Sequence, residues 1–137
     1  MPVQQVFRVL ICDDSLGFPS LVRTWLTADG RFEVVGLAPG GVVAKQLVEE
    51  LQPDALVLDL VLPDAPDCPA LVRELRELHP PLRIMLVSSL QMEQLRNAAQ
   101  AARVDGVCNK GATAQELSSA LYAVASGDGS STQNVAP

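Results

Sequence analysis

The chain has 137 residues, of which 48% are apolar and only 4% aromatic, and a net charge of −6. That length supports one hydrophobic core and is too short for two ordinary domains. The charge argues against an electrostatic grip on nucleic acid, which needs clustered Lys and Arg, and no uninterrupted apolar stretch approaches the roughly 18 residues of a membrane span.

With so few aromatic residues the core must come from Leu, Val, Ile and Ala, which suits buried strands and helix stripes in layers. Cys12, Cys68 and Cys108 are odd in number and form no CxxC pair, so neither a disulfide framework nor a zinc site is expected. Cys12 and Cys108 read as core thiols and Cys68 as a loop thiol. The N-terminus lacks a signal-peptide core, and a cytoplasmic location is expected.

Taken in order, Val9–Cys12 is a strand ending at Asp13-Asp14, and Phe18, Leu21, Val22, Trp25 and Leu26 follow at helical spacing as a core stripe, closed by Asp29-Gly30. Phe32–Leu37 predicts a second strand, and Val43, Leu47, Val48 and Leu51 a second helix ended by Pro53. Ala55–Leu58, apolar on both faces, is a third strand that ends at Asp59. Leu71, Val72, Leu75 and Leu78 stripe a third helix. Ile84–Val87 ends at Ser88, and Met92, Leu95, Ala99 and Ala102 stripe a fourth helix. A last strand over 106–109 ends at Lys110. Thr113 and Glu116 have capping-box spacing ahead of Leu117, Leu121 and Val124. Five β/α repeats imply right-handed crossovers and a parallel sheet covered on both faces. Residues 128–137 have the composition of a linker or tail.

Ligands of an open parallel sheet gather outside the carboxyl ends of its strands, where residues distant in sequence converge. Here those ends carry Asp13 and Asp14, Asp59, Ser88 and Lys110. Close carboxylates repel unless a cation neutralises them or their pKa values rise, so the set predicts a hard divalent ion, and Mg²⁺ fits. An aspartate beside such an ion can become an acyl phosphate. The three phosphoryl oxygens would then be shared among Mg²⁺, the Lys110 ammonium and the Ser88 hydroxyl or a backbone N–H.

These residues, with the segment Asp59-Leu60-Val61-Leu62-Pro63, resemble the receiver domains of two-component response regulators over residues 6 to 127. Phe32-Glu33-Val34-Val35-Gly36, Lys110-Gly111-Ala112 and Glu116-Leu117 are similar to the NarL/LuxR-type subfamily. The resemblance implies a flavodoxin-like α/β fold with strand order 2-1-3-4-5 and five helices. It assigns Asp13 and Asp14 to Mg²⁺, Asp59 to phosphoryl acceptance and metal contact, Ser88 to sensing the phosphoryl group and Lys110 to pairing with it. It also implies a sensor histidine kinase as phosphodonor, no activity beyond self-phosphorylation and dephosphorylation, compatibility with a homodimer, and transcriptional output through a further domain. The alternative is a stand-alone or degenerate receiver acting as an interaction module.

Two departures stand out. The family's turn after the phosphorylated strand commonly holds Gly, whereas this chain reads Asp64-Ala65-Pro66-Asp67-Cys68-Pro69, and Val107 stands where Tyr or Phe is common. Asp64 and Asp67 read as an exposed loop pair, and His79 as a solvated helix end. An aspartyl-phosphate phosphohydrolase would need an Asp-x-Asp pair, which Asp59 does not begin.

Overall fold

Each strand alternates its side chains between two faces, and both faces are apolar, so every strand needs helices above and below. The computed structural model, which describes residues 5–127, meets that requirement. The tail expected at 128–137 lies outside the described residues. Strands β1 (Phe7–Cys12), β2 (Phe32–Ala38), β3 (Ala55–Asp59), β4 (Arg83–Ser88) and β5 (Gly106–Asn109) alternate with helices α1 (Phe18–Asp29), α2 (Gly41–Leu51), α3 (Cys68–Leu78), α4 (Met92–Ala102) and α5 (Ala114–Ala125). The sheet is parallel, in the expected order β2-β1-β3-β4-β5.

Period-two alternation splits the core in two. Leu10, Leu56, Leu58, Ile84, Leu86 and Val107 face α2, α3 and α4. Val9, Ile11, Val57, Met85, Val87 and Cys108 face α1 and α5. Within α1 only Val22 and Leu26 are buried; Trp25 is half-buried and Leu21 is exposed, so the stripe read as core is narrower than expected. Cys68 is not a loop thiol: it opens α3 and is buried in the core, because it lies on the same helical face as Leu71, Val72 and Leu75. His79 ends α3 as expected, but half-buried, with its Nε2 2.8 Å from the Pro53 carbonyl oxygen.

The acidic loop after β3 does structural work. The Ala65 N–H donates to the Leu62 carbonyl at 3.1 Å across Pro63-Asp64. Neither central residue has positive φ, so this turn requires no glycine. Asp64 reaches α2 and accepts hydrogen bonds from the N–H groups of Gly41 (2.9 Å) and Val42 (3.1 Å), while Asp67 caps α3 by accepting from Ala70. A Cβ on Gly40 would lie 2.8 Å from the Asp64 carboxylate, and one on Gly41 2.8 Å from the Ala65 Cβ. The glycines missing from the loop are thus matched by glycines on the element it touches.

At the opposite sheet edge, Asp54 accepts from the Arg8 N–H at 2.8 Å, and Asp105 accepts from the Ile84 N–H at 2.8 Å and from Arg76 at 2.7 Å. These carboxylates close strand beginnings.

Two stability predictions follow from this packing. A Cβ at Gly106 would meet Val124 Cγ2 at 2.5 Å, against a stiff, buried side chain. Gly106→Ala is expected to lower urea-unfolding stability by about 1–3 kcal/mol. The hydrogen bonds from Gly41 and Val42 hold the Asp64 carboxyl below its ordinary pKa. A depressed folded-state pKa contributes stability that is complete above about pH 4 and is lost as pH falls through the folded value. The Tm advantage of the natural protein over Asp64→Ala should therefore shrink on acidification; an advantage undiminished at acid pH would contradict the cap.

Candidate functional site

The carboxyl edge of the sheet collects the polar strand ends. Asp13 and Asp14 follow β1, Asp59 and Ser88 are the last residues of β3 and β4, and Lys110 follows β5. Asp13, Asp59 and Ser88 are buried, whereas Asp14 is exposed. One carboxylate oxygen each from Asp13, Asp14 and Asp59 lies within 4.8 Å of the others. Lys110 Nζ stands 2.7 Å from Asp13 Oδ2 and 3.3 Å from Asp59 Oδ2. Residues separated by up to 97 positions in sequence thus share one small volume.

A shared local device aims these side chains. Asp13 Oδ1 accepts from the N–H of Ser15 (2.7 Å) and from its hydroxyl, and Asp59 Oδ1 accepts from the N–H of Val61 at 3.2 Å. Ser88 Oγ accepts from the N–H of Leu90 at 3.1 Å, and Asn109 Oδ1 from that of Gly111 at 2.7 Å. Each is a side-chain bond to the amide two residues on, which turns the chain out of its strand. Asp13 and Asp59 each bind the turn through Oδ1 and turn Oδ2 to Lys110.

Burial pushes the Asp59 carboxyl above its ordinary pKa, and the charge of Asp13 adds to this; the Val61 N–H and Lys110 act in the opposite sense. For Lys110, burial works to lower the pKa, but its contacts with Asp13 and Asp59 outweigh that and hold the ammonium above its ordinary value. Asp13 Oδ2 is fully buried and is held in an ion pair with Lys110 at 2.7 Å. Three carboxylate oxygens this close, with a single ammonium beside them, fit a hard divalent cation such as Mg²⁺.

Ser88 is buried at the site, but its hydroxyl is engaged with Leu90, and its carbonyl accepts from the Lys110 N–H at 3.0 Å. Sequence reasoning missed Ser15 and Asn109, although an Asp-x-Ser and an Asn-x-Gly spacing at strand ends signal such turns. The Asn109 amide also donates to the Leu90 carbonyl at 2.9 Å, joining the loops after β4 and β5. Val107 is buried beside a groove of about 490 Å³ lined by Arg96, Ala99, Gln100 and Arg103 of the α4 side.

Comparison with known proteins agrees with this geometry. Residues 9–122 match the family model described as the response regulator receiver domain. Among curated relatives, a protein-glutamate methylesterase/protein-glutamine glutaminase 3 of Myxococcus xanthus is 39% identical over 66% of this chain and 25% of its own length. A second from the same organism, numbered 5, is 38% identical over 80% of this chain and 32% of its own length. The chain therefore spans about a quarter to a third of these relatives. Among solved structures, the signal receiver domain of a response regulator named NarL from Mycobacterium tuberculosis superposes with a TM-score of 0.81 at 28% identity, covering 90% of this chain and 98% of that one. A LuxR-family two-component response regulator from Aurantimonas sp. SI85-9A1 gives 0.80 at 26% identity, covering 90% and 87%. With its fold, its converging strand ends and a family match over most of its length, the chain belongs to the response regulator receiver domains.

Proposed function

We propose that Asp59 accepts a phosphoryl group, that Asp13, Asp14 and Asp59 hold Mg²⁺, and that a sensor histidine kinase is the donor. The observation that carries this reading is the meeting of Asp13, Asp14 and Asp59 oxygens within 4.8 Å of one another beside the Lys110 ammonium. Bound Mg²⁺ would neutralise carboxylate charge and orient a phosphoryl oxygen. Asp59 Oδ2 is the nucleophile: it bonds to phosphorus as the donor's leaving group departs with its electron pair. No base is needed where the carboxylate is ionised. Lys110 supplies a point charge to a phosphoryl oxygen, and the Ser88 hydroxyl, which accepts from the Leu90 N–H, donates its O–H to the phosphoryl group.

The boundaries proposed are a receiver over residues 1–127 and a linker or tail over 128–137, acting in the cytoplasm and compatible with a homodimer. No helix among the described residues is long and apolar enough to cross a membrane. Likeness to the LuxR-family structure supports transcriptional output through another domain, and the net charge of −6 argues against direct DNA contact by this one. Sequence similarity to part of the methylesterases supports a second reading, control of a linked esterase.

Intact-mass analysis after treatment with acetyl phosphate and Mg²⁺ tests the site. One phosphoryl addition is expected, abolished by Asp59→Asn; undiminished labelling of that variant would refute the assignment. Absence of labelling in the natural protein would favour a degenerate interaction module. Excess EDTA should also abolish labelling. Asp14→Asn, which removes an exposed ligand and spares the buried pair, should raise the Mg²⁺ concentration needed for half-maximal labelling.

A further inference from the structure

Lys110 has a third neighbour besides the two carboxylates: its Nζ lies 4.9 Å from the centroid of the Phe18 ring. That places the ammonium within the range where the negative face of an aromatic ring attracts a cation. Phe18 is the first residue of α1, preceded by Gly17 at φ 93° and followed by Pro19. A left-handed Gly17 turns the chain sharply out of the loop, and a proline in the first helical turn fixes the backbone just beyond the ring. The ring is half-buried and packs on the core between the sheet and α1 and α5. Its position is therefore set by the fold and not by the lysine.

The lysine stem has the opposite character. Four rotatable carbons reach from the end of β5, and the side chain retains 17% of its exposure, so two carboxylates alone would leave the ammonium sideways freedom. We propose that Phe18 is a positioning residue for phosphoryl transfer, its ring face holding the Lys110 ammonium over Asp59 and screening it from water. This rests on the assignment of Asp59 and Lys110 made above. Because the reacting phosphoryl oxygen must take the ammonium without a search for it, the ring contributes by limiting the orientations from which the transition state is reached. Leucine would fill much of the same space but carries no quadrupole.

The test measures the acetyl phosphate labelling rate for Phe18→Leu, Phe18→Tyr and a series of increasingly fluorinated phenylalanines at position 18, which keep the ring shape while draining its face of charge. Phe18→Leu should slow labelling about fivefold, Phe18→Tyr should stay within about twofold of the natural protein, and the rate should fall stepwise with fluorination. In the metal-free protein, NMR should show the Lys110 ε-methylene protons shifted upfield by the ring, and Phe18→Leu should remove that shift. Lys110→Met separates the two levels of the argument. Labelling that survives Lys110→Met overturns both the assignment and this inference. Labelling that dies with Lys110→Met yet is indifferent to fluorination overturns the inference alone, as does a Lys110 methylene without an upfield shift.

Discussion

The ion pairing of one ammonium with two buried carboxylates is the constraint on which this structure turns. Asp13 and Asp59 sit at the ends of neighbouring strands, almost fully removed from water. Uncompensated, each would carry a desolvation cost of several kcal/mol, and their mutual repulsion would add to it. Lys110 meets both at once. The sheet order makes this feasible: β1 and β3 are adjacent, and β5 is two strands from β3, a distance a lysine stem can bridge and a shorter side chain cannot. The resting arrangement is thus only partly compensated: one ammonium faces two buried carboxylates, with Asp14 beside them, and the cluster keeps net negative charge.

That cluster sits beside a loop arrangement with its own internal bonds. The Ser88 hydroxyl accepts from the Leu90 N–H, and the Asn109 amide ties the Leu90 carbonyl to the far loop. The bond to Leu90 uses an acceptor lone pair of Ser88, so its O–H donor is not committed by that contact. A ligand shifts a two-state equilibrium only through interactions that differ between the states. Val107, stiff about χ1 and buried, has no ring to swing and no hydroxyl to re-pair. The polar contacts next to the cluster are instead those of Ser88, Leu90 and Asn109.

Much of this was legible in the sequence for identifiable reasons. Strands apolar on both faces, punctuated by Asp, Ser and Lys, announce a parallel sheet and the edge where its chemistry gathers. The capping box at Thr113 and the left-handed Gly30 mark helix ends by local rules, and both occur where expected. What stayed hidden depends on tertiary contact. Asp64 is indistinguishable in sequence from a solvated loop aspartate until Gly40 and Gly41 approach it. Cys68 reads as a loop residue until α3 is seen to begin with it and turn it inward with Leu71, Val72 and Leu75. Asp54 and Asp105 look like members of the acidic surplus, yet they lie at the edge remote from the site and bind backbone amides there. A net charge cannot say which strand end a carboxylate occupies.

The turns that aim the site use main-chain amides, and this has a consequence for how its surroundings can vary. Ser15 adds its hydroxyl to Asp13, but Val61, Leu90 and Gly111 serve their strand ends through the N–H alone. An amide is common to every residue except proline. At the exposed Val61 and Leu90 the rim can accordingly be redecorated while the aim of the strand ends is preserved, whereas a Cβ at Gly111 would stand 3.0 Å from the Asn109 oxygen its amide serves. At those two exposed positions accuracy and appearance are written in different parts of the same residue: one in the backbone amide, the other in the side chain.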